Sequence, residues 1–385
     1  MTCRVAHLTS VHPWTDPRIF HKMCVSLAQS GYDVHLVAAR GPAPAAERIQ
    51  GVTLHLLTRP GNRLQRMTRT AWQVYRKAVD LDAKICHFHD PELIPVGILL
   101  RLRGCSVIYD VHEDMPKRVL DRQWIPGFLR RPAGWMIALA QKAAGAIFAA
   151  VVTATPTIAA RFDPARTVAV RNFPSLAEFP EPAKDWSKKK PTIAFIGTID
   201  SSRGVLELIN GFAQSNAKSH ARLVVAGKRQ GGEYDARLDA AARDLNVEFA
   251  GYLDRTGVQR LLDDSMIGAI TNLPSETANE AISTKMFEYM AAGLPVLTTD
   301  MPLWTEVVEK YRCGVAVDPF DPAAIARSLD HFFDHAERAI DAGRNGRTAI
   351  EQHFNWAREF AVLLDVYDKL SAKTARVDAN GSHDR

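Results

Sequence analysis

Short apolar runs alternate along this chain with stretches of three- and four-residue apolar periodicity. In the first half, "RVAHLTS" (4–10), "DVHLVAAR" (33–40), "KICHFHD" (84–90), "SVIYDVH" (106–112) and "AVVTAT" (150–155) have the length and composition of buried strands, with helical stretches between them. Asp16 suits a helix N-cap with Pro17 in the first turn, and Gly31 suits the end of that helix. The pattern restarts at "TIAFIGTID" (192–200). It continues through a helix from Gly204 to about Asn216, "ARLVVAG" (221–227), a helix near 234–244, "VEFAG" (247–251), "MIGAITN" (266–272) and "PVLTT" (295–299). Strands that alternate with helices predict parallel sheets, so each half is expected to be a doubly wound α/β domain.

A chain of 385 residues suits two domains rather than one core. "NFPSLAEFPEPAKDWSKKKP" (172–191), rich in proline and charge, reads as the linker. This puts the domains at 1–175 and 176–355, followed by a helix over 356–372 and a polar tail, 373–385, expected to be disordered. A hydrophobic content of 46% with 24% charge is that of a globular enzyme or binding protein. The N-terminus shows no basic segment followed by a long apolar run, so no signal peptide is expected, and five cysteines without a CxxC pair read as reduced thiols. The apolar run from Ala133 to Val152 is interrupted by Gln141 and Lys142, which leaves pieces too short to span a bilayer. The net charge of +5 changes this picture through its placement. Residues 59–79 and 117–135 mix arginine and lysine with Leu64, Met67, Trp72 and Trp135, a composition open to two readings, a membrane-contacting surface or ordinary solvated helix faces. Nucleic-acid binding is not expected, because no nucleic-acid motif accompanies the charge.

The most informative stretch is "NEAISTKMFEYMAAGLPVLTTD" (279–300), which sits between two strand-like runs. Ile282, Met286, Phe287, Tyr289 and Met290 recur at helical spacing and Gly293 suits a C-terminal cap, giving the order strand, loop, helix, strand. In such sheets ligands lie beyond the carboxyl ends of the strands, at helix N-termini. Glu280 falls in the loop and Glu288 two turns down the helix. The loop that feeds this helix presents unpaired backbone N–H groups and the positive end of the helix dipole. The plain alternative is a solvated helix with a Lys285–Glu288 pair worth a few tenths of a kcal/mol. Asp80-Leu81-Asp82 spells an acidic DxD, but at a helix end, and no metal site is expected. GxGxxG after the first strand, GxxxxGK[ST] and GxSxG are all missing, so nicotinamide, P-loop and serine-hydrolase chemistry lack their frameworks.

These residues, with "FIGTIDSSRG", "YDVHEDMP", "CGVAVDP" and "FNWAREFAVLLDVYDKL", resemble the retaining nucleotide-sugar glycosyltransferases of family 4, GT-B fold, over nearly the whole chain. The resemblance implies two Rossmann-like domains facing across a cleft, with the last helix crossing back to the first domain. Its Glu-x7-Glu hallmark maps onto Glu280, toward hydroxyls of the donor sugar, and Glu288, toward the ribose. Gly197, Ile282, Ser283, Thr284 and Lys285 fall at the donor. Arg203 matches a basic residue that steadies the departing diphosphate, and His112 matches a histidine that contacts the donor sugar.

The chain also departs from the family pattern. Thr198 and Ile199 stand where a second basic residue is common, leaving Lys285 or Lys228 to substitute. The first loop, "SVHPWTDPRIFHKM", has no glycine, so close phosphate approach is harder there. Trp14, Asp16 and Arg18 are therefore expected on the acceptor or sugar side, with simple N-capping the alternative for Asp16. His89 and Asp90 either line the cleft or cap a strand end, and Glu113 is a further acceptor-side candidate. The resemblance implies transfer from a nucleotide diphosphate sugar to a glycan or a polyprenyl-diphosphate-linked acceptor in bacterial surface-polysaccharide assembly. The expected enzyme is cytoplasmic, with possible contact at the inner leaflet, and uses neither cofactor nor metal. Two other readings stay open: a GT-B sugar-nucleotide epimerase and a non-catalytic partner subunit.

Overall fold

The computed structural model describes residues 2–39, 47–58, 61–120, 125–179, 181, 186, 189–275, 278–279 and 282–381. The chain forms two compact units, Met1–Asn172 joined by Ala357–Arg385, and Phe173–Trp356.

The first unit is built on β1 (Arg4–Pro13), β2 (Asp33–Ala39), β3 (Arg48–Ile49), β4 (Val52–Leu57), β5 (Ile85–Phe88), β6 (Ser106–Val111), β7 (Ala150–Thr153) and β8 (Thr167–Ala169). They lie in the order β3-β4-β2-β1-β5-β6-β7-β8, and every neighbouring pair is parallel except the hairpin β3–β4. Strands β3, β4 and β8 escaped the pattern because they lie at or near the sheet edges: β4 buries Val52 and Leu54 but leaves Thr53 and His55 only half covered. The helix after Asp16 opens as a π-helical segment, Pro17–Cys24, and continues as Val25–Gln29.

The second unit holds β9 (Thr192–Ile196), β10 (Arg222–Ala226), β11 (Val247–Gly251), β12 (Ile267–Ile270), β13 (Val296–Thr299) and β14 (Gly314–Val317), all parallel, in the order β11-β10-β9-β12-β13-β14. Alternate strand residues feed opposite faces. Ala194 and Ile196 join Met286, Tyr289, Met290 and Trp304, whereas Ile193 and Phe195 join Leu208, Ile209, Phe212 and Leu329. The helix Thr284–Ala291 presses close enough on the sheet that a Cβ at Gly268 would sit 2.4 Å from the ring of Tyr289. Strand order reverses between β1 and β5 in one unit and between β9 and β12 in the other, the positions where doubly wound sheets leave a crevice at their carboxyl ends.

Two expectations about the ends of elements need correction. Phe173 and Phe179 are buried in the second unit's core, Phe173 against Phe287 and Phe354 at ring separations of 4.8 and 5.3 Å, so the start of the expected linker is part of that unit. The last helix, Trp356–Gly381, runs through most of the tail expected to be disordered. It is anchored in the first unit: Glu359 receives the Arg171 amide at 2.7 Å and its guanidinium at 2.7 and 3.0 Å, and Leu363 and Tyr367 are fully buried. All five cysteines are free thiols, and among the described residues no helix is long and apolar enough to cross a membrane.

Candidate functional site

In the second unit, β9, β10 and β11 end at or next to Gly197, Gly227 and Gly251. A Cβ on Gly227 would lie 1.7 Å from the carbonyl oxygen of Gly197, so the two strand ends touch backbone to backbone. Beyond β9, Asp200 accepts the Ser202 amide at 2.9 Å and starts the turn Ser201–Arg203. Gly204 follows at φ +64°, where a Cβ would stand 1.8 Å from the carbonyl oxygen of Thr271. The Thr271 hydroxyl donates to the Gly204 carbonyl at 2.8 Å and the Leu273 amide to the Ser202 carbonyl at 2.8 Å. Glycine permits this approach, and the approach pins Arg203 beside the end of β12, at the switch point. The Arg203 side chain is partly exposed, 3.8 Å from Asp200, and its Nε has no hydrogen-bond partner. Thr198 and Lys228 are exposed nearby in sequence on the same sheet end.

The helix Thr284–Ala291 starts at Ser283, whose hydroxyl oxygen accepts the Lys285 amide at 3.4 Å, while Ile282 and Thr284 are half-buried. Glu288 is buried on this helix, 3.0 Å from Lys285 Nζ and 3.1 Å from Arg255 Nη1, and Arg255 also pairs with Glu178. Burial works to raise the Glu288 pKa, but the two cations outweigh it and hold the carboxyl below its ordinary value. Glu288 is therefore an ionised acceptor at neutral pH. Arg255 and Glu178 were missed because nothing in "GYLDR" or "SLAEF" marks them; only their packing on Glu288 does. Glu280 lies outside the described residues.

At the switch point of the first unit the side chains are more buried than expected. Asp16 is the N-cap: Oδ1 accepts the amides of Arg18 and Ile19, both at 2.9 Å, and Oδ2 meets His12 Nδ1 at 3.1 Å. Burial opposes its ionisation, yet these hydrogen bonds lower its pKa to about 2. Arg18, expected on the acceptor side, is turned inward: its guanidinium lies 3.1 Å from Asp110 Oδ1 and donates to the Val170 carbonyl at 2.8 Å, so its charge serves a buried carboxylate. Asp90 caps a strand end, accepting Thr9 Oγ1 at 2.7 Å and the amides of Ser10 and Val11 at 2.7 and 3.2 Å. His89 is buried against Asp110 at 3.1 Å, and Glu113 is exposed on the turn after β6.

His112, just past β6, is half-buried and places Nε2 2.7 Å from Asp110 Oδ2. Asp110 remains ionised in a fully buried site because Arg18 and His112 outweigh the cost of burial and hold it well below its ordinary pKa. Sequence reasoning passed over Asp110, whose signal was a carboxylate in the middle of an otherwise apolar strand. It also passed over His12, whose ring lies 5.4 Å from that of His112. Burial disfavours the charged imidazole of His12, but Asp16 and Asp90 prevail and raise its pKa. Among the described residues, the donor atoms of His7, His87 and His89, and those of His89, Asp110 and His112, lie within 4.8 Å of one another. Most of these atoms are hydrogen-bonded to one another, and Arg18 already sits on the carboxylate.

Comparison with known proteins assigns each unit separately. The model of glycosyl transferases group 1 matches residues 178–349, and that of the glycosyl transferase 4-like domain matches residues 17–172. Glycogen synthase of Mycobacterium tuberculosis is 23% identical over 328 residues, 83% of this chain and 74% of that protein. Among solved structures, sucrose-phosphate synthase from Thermosynechococcus elongatus has a TM-score of 0.73 at 16% identity, covering 97% of this chain and 100% of the other. Anabaena HepE in complex with UDP and glucose has a TM-score of 0.70 at 12% identity, covering 95% and 100%. With a glycosyl transferase model on each of its two doubly wound units, the chain belongs to the GT-B glycosyltransferases of family 4 type.

Proposed function

We propose that this chain moves a sugar from a UDP- or GDP-sugar to a hydroxyl of a glycan or lipid-linked acceptor, with retention at the anomeric carbon, in surface-polysaccharide assembly. The observation that carries the donor half of this reading is Glu288, a buried, ionised carboxylate that Lys285 and Arg255 hold on a helix at the carboxyl end of the second unit's sheet. Its two oxygens suit the vicinal hydroxyls of a ribose, and Lys285 with the helix start suits the diphosphate. By resemblance to the family's Glu-x7-Glu pattern Glu280 is assigned to the donor sugar's hydroxyls, and Gly197, at the end of β9, to the donor. In the transfer, the bond from the anomeric carbon to the phosphate oxygen breaks and a bond to the acceptor oxygen forms on the same face. The acceptor proton passes to the departing diphosphate. Negative charge grows on that phosphate, so Arg203 and Lys285 stabilise the transition state more than the ground state. His112, held by Asp110, is assigned to the donor sugar. No resident metal or cofactor takes part in this scheme.

An acceptor carried on a lipid requires a surface that meets membranes. The helix Gly127–Ile147 supports one: Phe128, Trp135, Met136 and Leu139 are 80, 69, 65 and 53% exposed. At 3.6 residues per turn Phe128, Trp135 and Leu139 share a face, flanked by the exposed Arg131 and Lys142. The partner proposed for it is the anionic inner leaflet.

The donor assignment is tested by thermal unfolding of wild type and Glu288→Ala with UDP, GDP and ADP. A ligand at about 100 times its Kd adds about 2.7 kcal/mol. One nucleotide is expected to raise the wild-type Tm and to lose that effect in Glu288→Ala. A stabilisation that survives the substitution would place the nucleotide elsewhere.

A further inference from the structure

Each oxygen of the buried Glu288 is held by a different cation. Lys285 Nζ lies 3.0 Å from Oε2 and Arg255 Nη1 lies 3.1 Å from Oε1, and among the described residues no other side chain meets either oxygen. The two cations are not equivalent. Lys285 reaches Glu288 from three residues away on the same helix, on a flexible four-carbon stem, and its ammonium has no second partner among the described residues. Arg255 comes from another element and is fixed on three sides. Its Nε and Nη2 face Glu178 Oε2, its Nη1 faces Glu288, and its guanidinium lies 5.3 Å from the centre of the Phe179 ring. These supports are themselves tied down: the Glu178 carbonyl accepts Gln259 Nε2 at 2.6 Å, the Phe179 carbonyl accepts Arg347 Nη1 at 2.9 Å, and the Phe179 ring is buried.

The place of Arg255 in its own helix points the same way. It opens the helix Arg255–Asp264, directly after the N-cap Asp254, whose side chain accepts the Gly257 amide at 2.7 Å. A cation in the first turn stands at the positive end of the helix dipole and costs the helix stability. Nothing local favours an arginine there, whereas two carboxylates facing it do. Burial works against the guanidinium's charge, and Glu288 and Glu178 outweigh it and raise its pKa. Val258 and Leu262 of this helix share a core with Met286 and Met290, so the two helices that carry Arg255 and Glu288 are packed together. With one cation on each oxygen, the carboxylate keeps a free lone pair on each, the number that two vicinal hydroxyls require. Without Arg255, Oε1 has no partner in a buried site and the carboxyl group is free to turn about Lys285.

We propose that Arg255, anchored by Glu178, is a positioning residue for Glu288: it fixes the buried carboxylate in the orientation that accepts both ribose hydroxyls of the nucleotide. Arg255 acts through Glu288 alone, so this role rests on the reading of Glu288 as the ribose partner. Its effect is confined to the sugar of the nucleotide. Removing Arg255 weakens a ribonucleotide and leaves the 2′,3′-dideoxy counterpart untouched, which a merely structural ion pair would not do.

The test is a double-mutant cycle by titration calorimetry on the full chain, with UDP, GDP and ADP and their 2′,3′-dideoxy counterparts, in wild type, Arg255→Met, Arg255→Lys and Glu288→Gln. For the nucleotide that binds, wild type is expected to prefer the ribose form and Glu288→Gln to lose that preference. Arg255→Met is expected to lose about tenfold or more in affinity for the ribose form, the scale of a hydrogen bond to a charged group, and to bind the dideoxy form as wild type does. Arg255→Lys should recover part of the loss. If Arg255→Met does not fold, Arg255→Lys and Glu178→Gln, which removes the charge that anchors the guanidinium, carry the same comparison, and both should narrow the ribose preference relative to wild type. A preference kept in full by the Arg255 variants overturns the positioning role and leaves the reading of Glu288 standing. So does an equal loss for both forms of the nucleotide, which would put Arg255 on the phosphates or in the fold. A wild type without ribose preference, or a Glu288→Gln variant that keeps it, overturns the reading of Glu288 itself, and the role of Arg255 with it.

Discussion

The buried pair of Arg18 and Asp110 shows why residue type alone misplaces function. Both ends are almost fully excluded from water, and the attraction between them offsets a desolvation cost that neither charge could bear alone. Arg18→Met should therefore destabilise the first unit by about 3–5 kcal/mol, because it leaves an uncompensated carboxylate in the core. Urea denaturation of Arg18→Met, Asp110→Asn and the double variant tests this: the double variant should cost less than the sum of the singles. A loss for Arg18→Met below about 1 kcal/mol, the range of an exposed pair, would sink the account. In the sequence, Arg18 was an arginine in a loop and Asp110 a carboxylate in a strand, 92 positions apart. Only the register of β1 with β5 and of β5 with β6 brings their surroundings together.

At the scale of elements, regular apolar spacing made the central strands and the helix at 284–291 legible, because their apolar positions are dense and recur at the period of the element. Edge strands β3, β4 and β8 were not, since half-exposed positions blur the signal. The same limit applied to the site. Spacing located Glu288 and Lys285 within one helix, whereas Arg255 and Glu178 reach Glu288 from two other segments, which no local pattern records. The helix Gly127–Ile147 was read as an apolar run broken by Gln141 and Lys142, and the two residues turn out to differ. Gln141 is buried, its amide donating to the Tyr109 hydroxyl at 3.0 Å, while Lys142 is exposed beside the apolar face. Of the basic residues in the other amphipathic stretch, Arg66 is held by Glu92 at 2.8 Å and contributes less to an outer surface. The variant that tests membrane contact is thus Trp135→Ser with Leu139→Ser, followed by Arg131→Glu with Lys142→Glu. Flotation with vesicles containing anionic phosphatidylglycerol should fall for both. The charge pair should act only at low salt, since each basic residue near the surface is worth about 1 kcal/mol and is screened. Wild-type flotation that neither pair reduces would remove this helix from consideration.

At the scale of the whole molecule, the first unit is discontinuous: its sheet is made by the first 172 residues, and its closing helix comes after the entire second unit has been threaded. The helix supplies fully buried Leu363 and Tyr367, the carboxylate that holds Arg171, and the hydroxyl that satisfies His7 and His87. A chain stopped after Trp356 loses all of these at once. Truncation takes the hydroxyl partner from two imidazole nitrogens and opens to water the apolar surface that Leu363 and Tyr367 cover. The second unit loses nothing of its own, since its core clusters draw only on residues 173–356. Hydrogen exchange should therefore show β1, β2 and β5 losing protection in the truncated chain while β9, β10 and β12 keep theirs. Any nucleotide that stabilises the full chain through Glu288 should still stabilise what remains. Equal loss of protection in both units would mean that they fold as one cooperative body. Unchanged protection of β1 and β5 would mean that the last helix is an accessory to the first unit and not part of its core.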